Sequence, residues 1–269
     1  TRHNDRGMGM IIRDKLLYPT DNVMDFEYYC QKNIQGTERK QLPVTWTAYY
    51  KLAKYGKDKG MLQELQDYLH TLHGKFFTVV QWDDGLLNDI SHLDCKIFGM
   101  GKDIGYPLPL ICTPHPYRFN VPKDIYCSFI GKNTHPIRQQ IFNRAYGKSW
   151  YITEAKHKIP DFCKITARSL FGLCPRGYGI TSFRIMECLQ YGTIPVYISD
   201  KFLIPHNIDF NEYGVLIKDT EVNRIGEILT SFSTEEIRKK QINCKRVYQE
   251  YYTYEANAKI IREYLKNND

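Results

Sequence analysis

The chain has 269 residues, of which 42% are apolar and 14% aromatic, enough for one large or two modest globular cores. No stretch approaches the roughly 18 consecutive apolar residues of a membrane-spanning helix, which predicts no membrane span in this chain. The net charge of +7 favours acidic ligands. Because lysines and arginines are dispersed rather than gathered in one block, the charge does not require nucleic acid as a partner.

The eight cysteines form no C-x-x-C pair and no Cys/His cluster at zinc spacing, and several fall inside apolar runs. We therefore expect small buried thiols in a reducing compartment. This predicts a cytosolic protein, either of a microbe or of a host cell in which it is made. The chain does not begin with Met, so this expectation leaves a trimmed N-terminal anchor open.

The first part of the chain predicts a mixed α/β domain over residues 1–122. The segments KLLYPTD and LPVTWTAYYKLAKYG precede a predicted helix near Asp58 to His73, whose apolar residues recur at helical spacing. KFFTVVQW is typical of a buried strand, and DCKIFGMG predicts a second, shorter one. Prolines then crowd the chain, and residues 105–122 are predicted to form an extended linker.

Strands and helices alternate in the second domain, residues 123–250. The predicted order is the strand IYCSFIG, a helix at 136–146, the strand WYIT, a helix at 161–169, the strand LFGLCP, the helix TSFRIMECLQYG, the strands TIPVYIS and GVLIK, and a helix at 221–232. Ser182 or Thr181 is the predicted N-cap of the sixth of these elements, and Gly192 is predicted to follow its end. This alternation indicates a parallel sheet covered on both faces. The end of the chain is helical, and residues 251–269 are predicted to cross back over both domains.

An interdomain cleft follows from two α/β domains joined by a linker, with ligands at the carboxyl ends of the strands. The segment FGLCPRGYGITSFRIMECLQYGTIPVYISD, residues 171–200, has the order strand, Gly-rich turn, helix, strand. Such a turn lets backbone N–H groups approach a phosphate, and Arg176 adds a fork that can hold a diphosphate. Gly177 and Gly179 would keep the turn open. The alternative is an ordinary turn with glycines at positive φ and a solvated Arg176.

Other charged residues could complete this phosphate site. Glu187 lies on the helix that follows and could accept the hydroxyls of a ribose, unless it is an exposed helix residue. Arg184 could pair with Glu187 or reach a phosphate. In a second strand-to-helix turn, Lys132 and Arg138 could form a cationic wall, although a helix arginine is often solvated. The turn is neither G-x-G-x-x-G nor a P-loop, which argues against a dehydrogenase or an NTPase.

The stretch LCPRGYGITSFRIMECLQYGTIPVYISDKFLIP resembles the C-terminal signature of the exostosin family of glycosyltransferases. LPVTWTAYY, TVVQWDDG and GKDIGYPLP resemble N-terminal landmarks of that family more loosely. The resemblance implies an α/β fold of GT-B type, with two Rossmann-like domains facing a cleft. The C-terminal domain would hold a nucleoside diphosphate sugar, and the N-terminal domain would bind the acceptor.

The resemblance also implies an inverting transferase that needs no metal or other cofactor. Arg176, Ser182 and Arg184 would surround the phosphates or donor sugar, and Glu187 would contact the ribose. The full predicted donor site is Lys132, Arg138, Arg176, Gly177, Tyr178, Gly179, Ser182, Arg184 and Glu187. The sequence has no D-x-D triplet to hold a metal ion, which agrees with this implication.

An inverting transfer needs a general base to take the proton of the acceptor hydroxyl. Asp83 and Asp84 end a predicted strand of the N-terminal domain, so one of them is predicted to be that base. Asp-Asp-Gly is also a common start of a turn, which leaves a structural role open. His115, His206 and Asp161 are weaker candidates.

The chain is shorter than animal exostosins, which favours a compact member from a microbe or a large DNA virus. A UDP-carried sugar is the expected donor, with xylose first because the family includes xylosyltransferases. A glycan is the expected acceptor. Three alternatives stay open: a sulfotransferase-like enzyme with a nucleotide donor, a basic nucleic-acid-binding protein, and an inactive sugar-binding relative.

Overall fold

The computed structural model describes residues 25–101, 104–205 and 208–268. The predicted segment KLLYPTD and the candidate His206 lie outside these residues. The chain divides into unit 1, Thr1–Thr113 with Tyr254–Asp269, and unit 2, Pro114–Thr253. The first unit thus ends inside the predicted linker, and the last helix belongs to the first unit. Each unit is described by itself below.

Unit 1 contains a small parallel sheet with helices. Its described elements are α1 (Phe26–Asn33), β1 (Lys40–Gln41), α2 (Trp46–Leu52), α3 (Lys59–His70), β2 (Lys75–Val80), β3 (Asp94–Gly99), β4 (Tyr106–Pro107) and α9 (Tyr254–Asn267). The strands run in the order β1-β2-β3-β4 with parallel pairing. After Lys75, every residue of β2 is buried, as expected for a central strand of a parallel sheet.

Unit 2 contains a five-stranded parallel sheet. Its described elements are β5 (Ile125–Ile130), α4 (Pro136–Phe142), β6 (Trp150–Thr153), α5 (Ile159–Arg168), β7 (Ser169–Pro175), α6 (Arg184–Gln190), β8 (Ile194–Ser199), β9 (Val215–Lys218), α7 (Ile225–Thr230) and α8 (Thr234–Tyr251). The order is β6-β5-β7-β8-β9. Because all pairs are parallel, β5, β7 and β8 end at the same edge of the sheet. The α/β class and the two Rossmann-like sheets predicted from the sequence are confirmed.

A buried carboxylate fixes the loop that follows β2. Glu27 in α1 is fully buried and accepts hydrogen bonds from Thr47 N at 2.9 Å, Thr47 Oγ1 at 2.8 Å and Gln81 N at 2.7 Å. Burial raises its pKa to about 7 against the opposing effect of these hydrogen bonds. Glu27 therefore connects α1, the first turn of α2 and the residue just after β2.

A glycine brings helix α6 close to its strand in unit 2. A Cβ atom added at Gly172 in β7 would lie 2.3 Å from Cys188 Sγ in α6. Only a residue without a side chain permits that approach, so the strand and the helix are held in close contact. Seven of the eight cysteines are buried, as predicted for small apolar side chains.

The start of α6 differs from the sequence prediction. The predicted N-cap is Ser182 or Thr181, but α6 begins at Arg184 and has Phe183 at its N-cap. The preceding residues stay irregular because the Ile180 carbonyl accepts from Tyr197 Oη at 2.8 Å and from Ser199 Oγ at 3.1 Å. The predicted end is right, since Gly192 has a φ of +61° just beyond the helix.

One helical prediction near the C-terminus was also inaccurate. The helix predicted at 221–232 is a 3₁₀ segment, Asp219–Arg224, followed by the short α7. The helical end of the chain consists of α8 and α9, and α9 lies within the predicted C-terminal helix of residues 251–269. Within the described residues, no helix combines the length and apolar character needed to cross a membrane.

Candidate functional site

The turn after β7 is built around the side chain of Arg138. Its Nε donates to the Arg176 carbonyl at 3.0 Å and its Nη2 to the Pro175 carbonyl at 3.1 Å. Nη1 donates to the Lys132 carbonyl at 3.1 Å, which links the turns after β5 and β7. A Cβ at Gly177 would lie 3.1 Å from Arg138 Nη2, so glycine leaves room for the guanidinium. Gly177 has no positive φ, contrary to the turn alternative considered from the sequence.

Arg138 remains a cation although it is largely enclosed. Burial lowers its pKa to about 10, and the nearby charge of Arg184 acts in the same direction. A pKa of that size still leaves the side chain protonated at neutral pH. The predicted cationic wall thus contains Arg138, but its hydrogen bonds to three carbonyls show that it also builds the turn.

Arg176 lies at the carboxyl end of β7, where the sequence predicts a diphosphate ligand. Its Nη1 forms an ion pair with Asp200, and its Nη2 donates to the Tyr178 carbonyl at 3.3 Å. Its Nε is shielded from solvent and has no acceptor within the described residues. The hydrogen bond from Arg176 lowers the pKa of Asp200. Arg176 is therefore held in place and keeps one N–H donor unused.

Sequence reasoning missed Asp200 as a site residue. Asp200 directly follows β8, and β8 pairs with β7 along residues 171–175. The rule that parallel strands end at one edge, applied to β8, would have placed this carboxylate beside Arg176.

The other predicted donor residues differ in exposure. Tyr178 is 73% exposed beside Arg176, and Lys132 is exposed after β5. Gly179 is buried in the turn, and Ser182 is 6% exposed. Ser182 Oγ accepts from Arg184 N at 3.4 Å, so this hydroxyl lies at the start of α6. Tyr178 and Lys132 are therefore presented to solvent, whereas Gly179 and Ser182 are buried.

Glu187 is the centre of a buried ionic network in unit 2. It is 2% exposed, and its Oε2 accepts from Arg184 Nη1 at 2.6 Å. Its Oε1 lies 3.1 Å from His115 Nε2. The alternative of an exposed helix glutamate is wrong. The predicted ribose contact stays a prediction, because both carboxylate oxygens have protein partners here.

His115 carries a charge in this network and is held by Gln190. Burial opposes the charge, but hydrogen bonds with Cys163 and Glu187 raise the pKa of His115 to about 9. The pKa of Glu187 is lowered: burial raises it, but the charge of Arg184 and the contact with His115 outweigh burial. Gln190 accepts from His115 N at 3.2 Å and donates to its carbonyl at 2.7 Å. His115 thus supports Glu187, a role that its isolated position in the sequence gave no sign of.

The candidate bases lie in unit 1, in a turn directly after β2. Asp83 is half-buried and Asp84 is exposed. Gly85 N donates to the Trp82 carbonyl at 2.9 Å and closes the turn. A Cβ at Gly101 would lie 2.9 Å or less from three backbone atoms of residues 82–85, so the turn packs closely against this glycine. The two carboxylates therefore lie at the carboxyl end of a parallel strand, as predicted.

The exostosin GT47 domain model matches residues 69–232 of the chain, which is more than half of its length. The chain belongs to the exostosin GT47 family. The predicted resemblance to exostosin glycosyltransferases is thereby confirmed. The matched region includes the carboxylates after β2 in unit 1 and the arginine-rich turn after β7 in unit 2.

Curated exostosin-type relatives match over shorter segments. The exostosin-1 homolog of Caenorhabditis elegans is 32% identical over 93 residues, 34% of this chain and 24% of that protein. A probable glucuronosyltransferase of Oryza sativa subsp. japonica is 37% identical over 84 residues, 30% of this chain and 20% of that protein. The probable beta-1,4-xylosyltransferase IRX10 of Arabidopsis thaliana is 40% identical over 76 residues, which are 28% of this chain and 18% of that protein. The chain matches about a quarter or less of each of these relatives.

Solved structures that resemble the chain share little sequence with it. TarM has a TM-score of 0.47 at 10% identity, covering 76% of this chain and 53% of TarM. A chain of the GtfA/B complex has a TM-score of 0.41 at 10% identity, and the match covers 83% of this chain and 48% of that chain. The fold of this exostosin GT47 member is therefore defined by its own two parallel sheets.

Proposed function

We propose that this exostosin GT47 protein is an inverting, metal-independent glycosyltransferase that moves a sugar from a UDP-sugar to a hydroxyl of a glycan. The observation that carries the proposal is the arginine-rich turn at the carboxyl edge of β5, β7 and β8. It provides cations at the sheet edge where α/β folds bind anionic ligands.

The donor diphosphate would be held by the turn after β7. The side chain of Arg176 is partly exposed, and its Nη1 is paired with an accessible carboxylate. Arg138 adds a fixed positive charge beneath the same turn, and Lys132 adds an exposed one. Charge-assisted hydrogen bonds of arginine suit a diphosphate because the guanidinium fork can bind two oxygens. These cations would stabilise the negative charge of the departing UDP without a metal ion.

The acceptor hydroxyl would be activated by Asp83 or Asp84. The carboxylate takes the hydroxyl proton while the hydroxyl oxygen forms a bond to the anomeric carbon. On the opposite face, the bond from that carbon to the diphosphate oxygen breaks, and its electron pair leaves with UDP. One displacement of this kind inverts the anomeric centre and needs no covalent enzyme intermediate.

Xylose is the first donor sugar in this proposal. Relatives in the family carry the names beta-1,4-xylosyltransferase and glucuronosyltransferase, so UDP-xylose and UDP-glucuronic acid are the two donors to compare. These two sugars differ only by the carboxyl group on the fifth carbon of glucuronic acid.

Binding of UDP should depend on Arg176 and not on a divalent metal ion. In EDTA, we expect UDP at about 100 times its Kd to stabilise the protein by about 2.7 kcal/mol, which raises Tm. Arg176→Ala should weaken UDP binding by about 10- to 100-fold, since a hydrogen bond to a charged group contributes about 1.5 to 3 kcal/mol. Thermal unfolding measures the rise in Tm, and calorimetric titration below Tm measures the loss of affinity in Arg176→Ala.

The control is Arg246→Ala in α8, which removes an exposed arginine paired with Glu212 and Glu250. This variant should bind UDP as tightly as the wild type. If Arg176→Ala binds UDP as tightly as the wild type does, the turn is not part of the donor site. Binding that appears only with manganese would contradict metal independence.

A further inference from the structure

A pair of aromatic rings, one exposed and one partly buried, lies beside the candidate bases in unit 1. The ring of Tyr55, 68% exposed, lies 6.0 Å from the ring of Trp82, at an interplanar angle of 35°. The Trp82 ring is supported from within the unit by Tyr50, 5.8 Å away in an edge-on contact. Trp82 directly precedes Asp83 and Asp84 in the same turn. An aromatic surface therefore continues into the two carboxylates.

The end of α2 holds Tyr55 in this exposed position. Tyr55 N donates to the Tyr50 carbonyl at 2.8 Å and Lys54 N to the Lys51 carbonyl at 3.1 Å, the two hydrogen bonds of a Schellman motif. Lys54 and Tyr55 have φ values of +50° and +59°, a conformation that usually requires glycine. Left-handed backbone at a residue with a side chain costs on the order of 1 to 3 kcal/mol. The two hydrogen bonds of the motif and the contact of the Tyr55 ring with Trp82 act against that cost.

The neighbouring loop is also fixed at this surface. Tyr50 Oη accepts from Leu87 N at 2.9 Å and from Asn88 N at 3.3 Å. Leu87 is 38% exposed and lies close to Gly56, the residue after Tyr55. Trp82 Nε1 is shielded from solvent and has no acceptor within the described residues. The surface therefore combines exposed apolar groups with a loop that is fixed by hydrogen bonds to Tyr50.

We infer that Tyr55 and Trp82 form a binding subsite for a pyranose ring of the glycan acceptor. This inference depends on the proposed glycosyltransferase function. One face of a pyranose presents C–H groups that pack on an aromatic ring, whereas its hydroxyls need polar partners. The rings of Tyr55 and Trp82 provide the first kind of contact, and Asp83 and Asp84 provide the second.

The subsite explains why a strained backbone displays a tyrosine at this position. A tyrosine gives a large contact area with few rotatable bonds, so little conformational entropy is lost when a sugar binds. The neighbouring carboxylates would then receive the acceptor hydroxyl from a ring that is already oriented.

Oligosaccharide binding tests the subsite without any transfer reaction. We would titrate the full chain with xylohexaose and cellohexaose and follow tryptophan fluorescence and calorimetric heat. At least one oligosaccharide should bind the wild type, Tyr55→Ala should weaken that binding about tenfold or more, and Tyr55→Phe should retain it. Tyr151→Ala, at a 37% exposed tyrosine in unit 2, is the matched control and should bind as the wild type does.

UDP binding separates this inference from the proposed function. Tyr55→Ala should bind UDP with unchanged affinity, because the donor turn belongs to unit 2. Equal oligosaccharide affinity in Tyr55→Ala and wild type, or no binding of either oligosaccharide to the wild type, would overturn the subsite. If UDP also fails to bind the wild type, it is the proposed function that fails.

Discussion

Replacing the base carboxylate should lower kcat by about 10²- to 10⁴-fold, the usual contribution of general base catalysis. We expect this loss in at least one of the single variants Asp83→Asn and Asp84→Asn. Asparagine keeps the size and polarity of the side chain but cannot take the proton of the acceptor hydroxyl. The donor is bound elsewhere, so the Kd for UDP should stay unchanged. Steady-state kinetics and UDP titration of each variant measure the two quantities.

The matched control for these variants is Asp89→Asn. Asp89 is an exposed aspartate in the same segment between β2 and β3, where its carboxylate accepts from Ser91 N at 2.8 Å. Its replacement should leave kcat close to the wild-type value. Near-normal turnover in both Asp83→Asn and Asp84→Asn would show that neither carboxylate is the base.

Removing the carboxylate of Glu187 should destabilise unit 2 by about 3–5 kcal/mol, the usual effect of breaking a buried ion pair. Glu187→Ala leaves the charges of Arg184 and His115 without their common partner. The exposed pair of Arg224 and Glu227 has the same spacing of three residues and a distance of 2.8 Å. Because water screens that pair, Glu227→Ala should barely change the urea midpoint. Urea unfolding of both variants makes the comparison.

The pH dependence gives a second test of the Glu187 network. The pKa of His115 is raised to about 9 from an ordinary value of 6.5. Its contribution to stability is therefore fully present below about pH 6.5 and is lost as the pH rises through 9. Wild-type stability should fall over that interval, and Glu187→Ala should show a smaller fall. An equal midpoint in wild type and Glu187→Ala at pH 6.5 would contradict the network.

The strands could be predicted more fully than the helix boundaries. Continuous apolar runs such as KFFTVV and IPVYIS are typical of strands buried on both faces, and both form central strands here. The start of α6 could not be predicted from local pattern. Ser182 is a good N-cap residue by type, but hydrogen bonds from Tyr197 and Ser199 in β8 keep the preceding turn irregular. Those contacts come from a strand that follows the helix in sequence.

The residues of the candidate site that directly follow a strand could be predicted from the sequence. Arg176, Lys132 and Asp83 were found because each follows a predicted strand. Asp200 follows β8 in the same way and was overlooked. The support of Glu187 by His115 could not be inferred, because the two side chains are 72 positions apart and meet only through the packing of α6. The exposed ring of Tyr55 was equally hidden, since it depends on a left-handed turn that sequence favours only for glycine.

The most direct test of the account is the anomeric configuration of a transfer product. The protein would be incubated in EDTA with xylohexaose and UDP-α-D-xylose, and in parallel with xylohexaose and UDP-α-D-glucuronic acid, and the product followed by proton NMR. The account predicts release of UDP and formation of a β-linked xylose, since one displacement inverts the α-configured donor. An α-linked product, or the absence of transfer with both UDP-xylose and UDP-glucuronic acid, would contradict it.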